Sequence, residues 1–391
     1  MHIAYLIPTL DRIGGAERQL MQLATGMARR HWCVTVIALS GHSSNAAEEL
    51  SANNVSYLSL EMHHGIADPR GWNRLRRWVN VARPDILHAH LPHASLMARC
   101  IRLVAPVRVV IDTIHSPSTG GFTRQLGYRL TSRLTNLVTA VSRAAAAPWL
   151  DTGTINDSHL TIMPNGIDTA YWHRNYRPET ETQSTRERPF HWLAVGRLDP
   201  VKDYANLLHA FAMLPESARL TIAGTGPLEA TLHSLASDLG IDDRITFAGF
   251  QTDIRRWMNQ VDGFVLSSRW EGLPIALMEA SACELPAVFT ATGGARELLP
   301  DSHSSHVPVG KTPHLAAAMQ KMMHQSEAAR RKLGLAARLR IVESYNLDSV
   351  LSRLDNLYHY VLAVNPQPLR RRRSQPLPAP ACSSTTETGT Y

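Results

Sequence analysis

The sequence predicts an α/β protein built from two Rossmann-like domains that face each other across a cleft, and three observations predict it. The chain has 391 residues, more than one hydrophobic core usually supports. Short apolar runs alternate with longer helical patterns from end to end, the signature of parallel sheets covered by helices. The alternation breaks once, over the polar and aperiodic residues 171–189, and then begins again.

Residues 2–8 form an apolar run that leads through a Gly-Gly turn into an amphipathic stretch over 16–30, a strand followed by a helix. Residues 33–39 read as a second strand, and 86–89, 107–113 and 137–140 continue the series. Residues 160–163 end in Pro164-Asn165-Gly166, a strong turn signal, so the first domain is expected over 1–170. Beyond the linker 171–189, strands are expected at 191–195, 219–223, 245–247, 261–267 and 286–289, giving a second domain over 190–346. A last helix is expected over 347–364, where Leu351, Leu354, Leu357, Tyr358 and Val361 fall at helical spacing. From 365 to 391 Pro, Ser, Thr and Arg dominate, a composition that predicts disorder.

Composition excludes several classes. Hydrophobic content of 44% and charged content of 19% are ordinary for a soluble globular protein. No run approaches the roughly eighteen apolar residues of a spanning helix. The first residues read as a buried strand and lack the basic region of a secretory signal. Cys33, Cys100, Cys283 and Cys382 are scattered, with no C-x-x-C and no metal-ligand spacing, so a reduced, cytoplasmic setting is expected. The net charge of +7 is uneven: residues 1–170 carry 16 Arg against 11 acids, 171–364 carry 20 bases against 21 acids, and the tail has four Arg and one Glu. The uneven charge suits an anionic surface as partner, such as a membrane, or serves solubility alone; nucleic acid fits less well, because no recognition motif accompanies it.

Four segments carry chemistry. Gly14-Gly15-Ala16-Glu17 precedes a helix, where backbone N–H groups and the helix N-terminus suit an anion or make a tight connection. Gly196-Arg197 and Lys202 follow a strand of the second domain, where Arg grips phosphate oxygens bidentately and Lys supplies a compact charge. Ligands of open α/β sheets bind beyond the carboxyl ends of strands, which favours a binding role over a solvated loop. Ala223-Gly224-Thr225-Gly226-Pro227 lacks the third glycine of a dinucleotide fingerprint, and no acid is placed for its ribose, so it reads as a cleft wall. In residues 267–279, Pro274 suits a helix start, Glu271 lies in the loop above it, and Glu279 lies about 7–8 Å along the axis. Backbone N–H groups near Gly272 and Leu273 lie between the two carboxylates and suit a diphosphate.

Taken together, these residues resemble family 4 of the retaining glycosyltransferases, which have the GT-B fold. The resemblance runs from Met1 to about Tyr360 and rests on the Gly-Gly-x-Glu turn, Pro164-Asn165-Gly166-Ile167-Asp168, Arg197 with Lys202, Gly224-x-Gly-Pro, and Glu271 with Glu279. It implies that Arg197 and Lys202 neutralise a donor diphosphate, Glu279 holds the ribose, Glu271 binds hydroxyls of the transferred sugar, and Gly15 offers its amide from the opposite domain. His115 occupies the place of the family's cleft histidine. Retention of anomeric configuration and a lipid-linked or cell-surface saccharide acceptor are likewise implied. The implied donor is a nucleoside-diphosphate sugar, most often of uridine. No D-x-D motif is present, so transfer without a metal or other cofactor is expected, with fixed cations and helix amides stabilising the leaving charge. A sugar-nucleotide epimerase of the same fold, or an inactive sugar-nucleotide-binding protein, is the alternative reading.

For the membrane, the sequence points to residues 70–79. There Arg70, Arg74 and Arg77 fall on one helical side and Trp72, Leu75 and Val79 on another. Either the apolar side packs on the sheet or the segment meets anionic lipid, helped by Arg370 to Arg373.

Overall fold

The computed structural model describes residues 1–11, 14–63, 67–175, 188–300 and 305–366. Most of the linker 171–189 and the basic run Arg370 to Arg373 lie outside the described residues. Among the described residues, seven parallel strands make the first sheet: β1 (His2–Ile7), β2 (Cys33–Ala38), β3 (Ser56–Ser59), β4 (Ile86–His90), β5 (Val109–Ile114), β6 (Leu137–Ala140) and β7 (Leu160–Ile162). Their order is β3-β2-β1-β4-β5-β6-β7. Six further strands make the second: β8 (His191–Val195), β9 (Arg219–Ala223), β10 (Ile245–Gly249), β11 (Gly263–Leu266), β12 (Ala287–Thr290) and β13 (Ser305–Val307), ordered β10-β9-β8-β11-β12-β13. Helices on both faces bury the apolar runs, as a doubly wound sheet requires.

Each sheet reverses its winding once, between β1 and β4 in the first and between β8 and β11 in the second. At such a point the outgoing loops diverge and leave a crevice at the carboxyl ends of the strands. The Gly14 turn, the Arg197 loop and the Glu271 loop all leave strands that border these crevices, and His115 follows β5 beside β4.

Two of the four edge strands, β3 and β13, are absent from the sequence reading. They are short and carry polar residues, Ser56, Ser59, Ser305 and His306, which mask the period of a strand. The last helix, Leu347–Val364, crosses back to the first domain. Val350, Leu351, Leu354, Tyr358 and Val361 join the core of Ile3, Tyr5, Leu20 and Val36, so the expected apolar face finds its partner there. Tyr358 donates to Tyr5 Oη at 2.9 Å, and its own oxygen lies 2.6 Å from His88 Nδ1.

Helix Pro69–Ala82 settles the two readings of residues 70–79. Leu75 and Val79 are fully buried and Trp72 packs against the same cluster, so the apolar side belongs to the core. Arg74 pairs with Glu61 at 2.9 Å and donates to the Leu60 carbonyl at 2.7 Å. Of the two readings, packing of the apolar side on the sheet is the one the structure shows, and the segment presents arginines rather than an apolar face to its surroundings. Among the described residues no helix is long and apolar enough to cross a membrane.

Candidate active site

The second domain supplies most of the charged side chains of the cleft. Arg197 follows β8, and its Nε donates to Asp199 Oδ2 at 2.7 Å, while the rest of the guanidinium is largely exposed. Asp199 also accepts from the amides of Val201 and Lys202, so one carboxylate sets both the turn and the arginine. Lys202 Nζ lies 2.6 Å from Glu271 Oε1, which also accepts from Ser268 Oγ at 2.6 Å. Both partners of this pair are mostly buried, which preorganises a cation and a carboxylate at the mouth of the crevice. The loop of Gly224 and Gly226 packs on the Arg197 loop through Leu198 N to Thr225 O at 3.0 Å, in keeping with a cleft wall.

Helix Ile275–Ala282 opens this side of the cleft with Pro274 as its N-cap, so the helix begins one residue later than the sequence suggests. Glu271 stands in the preceding loop and Glu279 on the first turns of the helix, as spacing required. Glu279 is half-buried with no side-chain hydrogen bond among the described residues, and burial pushes its carboxyl up to about 8, opposed by Arg18 of the first domain. The fold thus binds this proton more tightly than the ordinary value of 4.5 would allow. Stability from this group is complete below that ordinary value and is lost as pH rises through about 8. Glu279→Gln should therefore raise the thermal midpoint at about pH 9 and leave it nearly unchanged at about pH 4. A midpoint raised equally at both would show that the carboxyl is not held protonated.

From the first domain, helix Gly15–Arg29 points its N-terminus at the same place. Gly15 approaches so closely that a Cβ there would lie 3.1 Å from Ile275 Cδ1, directly across the cleft. Glu17 accepts from Gly14 N at 3.0 Å; burial pushes its carboxyl up, while that hydrogen bond and Arg197 of the second domain oppose the shift. Gly272 is wedged against the first domain, where a Cβ would lie 1.9 Å from the His115 carbonyl oxygen. Leu273 is buried behind it, its carbonyl 3.4 Å from Asn165 Nδ2.

His115 follows β5 directly, at the cleft. Its Nε2 lies 2.9 Å from His90 Nδ1, and burial pushes its ring down to about 4, so the imidazole is neutral near pH 7. A neutral ring can exchange hydrogen bonds with a sugar but brings no fixed positive charge. His88 and His90 do not figure in the sequence reading, although their alternate positions on β4 place both on one face. Also missed were Asp199, whose role needs the turn to be seen, and Glu297, considered below.

The structure therefore gathers Gly14, Gly15, His115, Arg197, Lys202, Glu271, Gly272, Leu273 and Glu279 around one interdomain cleft. Cations and a helix N-terminus stand together with carboxylates and glycines, an arrangement able to hold a diphosphate beside a polyhydroxylated group.

Comparison with known proteins agrees. Residues 13–171 match the model of Glycosyltransferase Family 4, and residues 177–340 match that of Glycosyl transferases group 1. The N-acetyl-alpha-D-glucosaminyl L-malate synthase of Bacillus anthracis is 26% identical over 301 residues, 71% of this chain and 75% of that protein. A galactosyltransferase of Escherichia coli, named for UDP-Gal and alpha-D-GlcNAc-diphosphoundecaprenol, is 24% identical over 250 residues, 59% of this chain and 63% of its own. The crystal structure of HepE from Anabaena in complex with UDP and glucose superposes with a TM-score of 0.79 at 19% identity, covering 92% of this chain and all of that one. With one family model on each domain and the matching two-sheet architecture, the chain belongs to the GT-B glycosyltransferases, with a family 4 domain at its N-terminal side and a group 1 domain at its C-terminal side.

Proposed function

We propose that this glycosyltransferase moves a sugar, with retention of configuration and without a metal, from a UDP-sugar to a saccharide carried by a lipid. The carrying observation is that Arg197, Lys202 and the N-terminus of helix Ile275–Ala282 meet Gly15 where both sheets reverse their winding. In this reading Arg197, Lys202 and the helix amides take up the negative charge that develops on the leaving diphosphate as the anomeric C–O bond breaks. Glu279 holds the ribose, Glu271 binds hydroxyls of the transferred sugar, and His115 faces that sugar from the opposite wall. The acceptor oxygen bonds to the anomeric carbon on the face the diphosphate leaves, and its proton passes to a leaving phosphate oxygen. Uridine is supported by the UDP bound to HepE and by the name of the Escherichia coli relative, which also supports a lipid-diphosphate acceptor. Titration of UDP, GDP and ADP into the chain in EDTA tests the donor assignment. UDP should bind most tightly, with affinity lost in Glu279→Ala; no binding of UDP until Mg²⁺ or Mn²⁺ is added would overturn it.

A lipid-borne acceptor calls for contact with an anionic membrane, on the cytoplasmic side by this reading. Helix Phe122–Leu130, which begins seven residues after His115, supports it better than helix Pro69–Ala82 does. Phe122, Leu126 and Leu130 recur every four residues and are 72%, 41% and 76% exposed. Arg129 falls on the same arc, whereas Tyr128 on the opposite side is buried and its carbonyl accepts from Arg99 at 3.0 Å. Residues 113–150 hold four arginines and no acid. Such an arc suits the headgroup boundary, with apolar side chains inserted and arginines at phosphates. The chain should sediment with phosphatidylglycerol vesicles but not with phosphatidylcholine vesicles. Replacing Phe122, Leu126 and Leu130 together by Ser should abolish this, and Gln at Arg70, Arg74 and Arg77 should weaken it less. Undiminished recovery of the Ser variant would contradict the assignment.

A further inference from the structure

One contact across the cleft lies outside every role assigned so far. Glu297 belongs to the second domain, on the short helix Gly293–Leu298. Its Oε1 accepts from Ala144 N at 2.6 Å and its Oε2 from Arg143 N at 3.0 Å, and both amides belong to the first domain. These are the first two N–H groups of helix Arg143–Asp151, which the helix itself cannot satisfy. The third is satisfied by the N-cap Ser142, whose Oγ accepts from Ala145 N at 2.9 Å. A carboxylate at this end also gains from the positive pole of the helix.

The same hydroxyl reaches back. Ser142 Oγ donates to the Gly272 carbonyl at 2.5 Å, and Ser142 is buried. Gly272 follows Glu271 directly, so this bond fixes the loop that carries the paired carboxylate. Two glycines allow the layers to close. A Cβ on Gly294 would lie 2.0 Å from the Gly272 carbonyl oxygen, and one on Gly293 would lie 2.5 Å from Ala144 Cβ. The result is a closed ring of contacts: Glu297 to helix Arg143–Asp151, Ser142 to Gly272, and Gly272 back to the helix of Glu297.

We propose that Glu297 is a positioning residue: by capping a helix of the opposite domain it holds the cleft closed and sets the Glu271-Gly272 loop against His115. It touches no candidate donor group itself. With the clasp broken, the diphosphate site of the second domain stays intact, since Arg197, Lys202 and helix Ile275–Ala282 do not depend on it. The two walls of the sugar pocket, His115 and Glu271, lose their fixed separation.

The test uses the full chain with Glu297→Ala and Glu297→Gln. Turnover at saturating donor should fall about tenfold or more in the Ala variant, the effect of losing charge-assisted bonds that fix reacting groups. The Gln variant, which keeps one accepting oxygen, should fall between it and the parent. UDP affinity should change by less than about threefold, well short of the loss in turnover. In solution scattering without any sugar, the Ala variant should have a larger radius of gyration than the parent, a readout that stands whichever sugar is transferred. Parent-like turnover and parent-like scattering in Glu297→Ala would overturn the proposal. So would losses shared equally by turnover, UDP affinity and thermal midpoint with Gln no better than Ala, because that pattern marks a structural defect.

Discussion

Lys202→Ala should lower kcat/KM by about a hundredfold or more. Two losses combine. The leaving diphosphate loses a fixed cation, and Glu271 keeps a mostly buried carboxylate whose partner, now 2.6 Å away, is gone. A charge-assisted contact to the leaving group is worth about 1.5–3 kcal/mol, against about 1.4 kcal/mol for each tenfold in rate, and a Glu271 carboxylate freed from its partner adds misplacement to that loss. Arg197→Ala should cost less, nearer tenfold, because its side chain is 74% exposed and shares its charge with Asp199. The comparison is made by steady-state kinetics at subsaturating donor. Near-parent rates in Lys202→Ala would remove it from the donor site. A larger loss in Arg197→Ala than in Lys202→Ala would reverse the assignment of the main cation.

Gly272→Ala should be as damaging, through geometry. The added methyl would sit 1.9 Å from the His115 carbonyl oxygen and 3.4 Å from Val141 Cγ2, and the first of these is backbone that cannot swing aside. The domains must part or the Glu271 loop must shift, and a displacement of about 1 Å at reacting groups can cost about a hundredfold. Turnover should fall by about that factor and the affinity for free UDP by less, because Arg197 and the end of helix Ile275–Ala282 keep their places even if the Glu271 loop shifts. Parent-like turnover would mean that the cleft works without this approach of the two domains.

The sequence disclosed what short-range chemistry dictates. The strands β1, β2, β8 and β9 are apolar runs bounded by turn residues, and spacing alone put Glu271 above a helix N-terminus and Glu279 on that helix. The helix Leu347–Val364 was legible from its apolar face, but not its destination, since nothing in a periodicity says which domain will cover it. The edge strands β3 and β13 were missed because their polar residues break the strand pattern. The side-chain partners of the site were not legible either. Lys202 and Glu271 are 69 residues apart, His90 and His115 are 25 apart, and Glu297 reaches its amides across 154 and 153 positions. One signal was there to find: Gly293-Gly294-x-x-Glu297 repeats, after β12, the glycine pair and nearby Glu of Gly14-Gly15-x-Glu17 after β1. Residues 70–79 left two readings open for a general reason. An amphipathic pattern looks the same whether its apolar side meets the sheet or a lipid, and only burial separates the two.

Incubation with a panel of nucleotide sugars and a lipid-linked or soluble saccharide acceptor in EDTA, followed by NMR of the product, tests retaining transfer itself. UDP should be released in equal amount to a new glycoside whose anomeric configuration matches that of the donor. Conversion of the nucleotide sugar to its epimer without transfer, or binding of the donor with no turnover toward any acceptor, would contradict it.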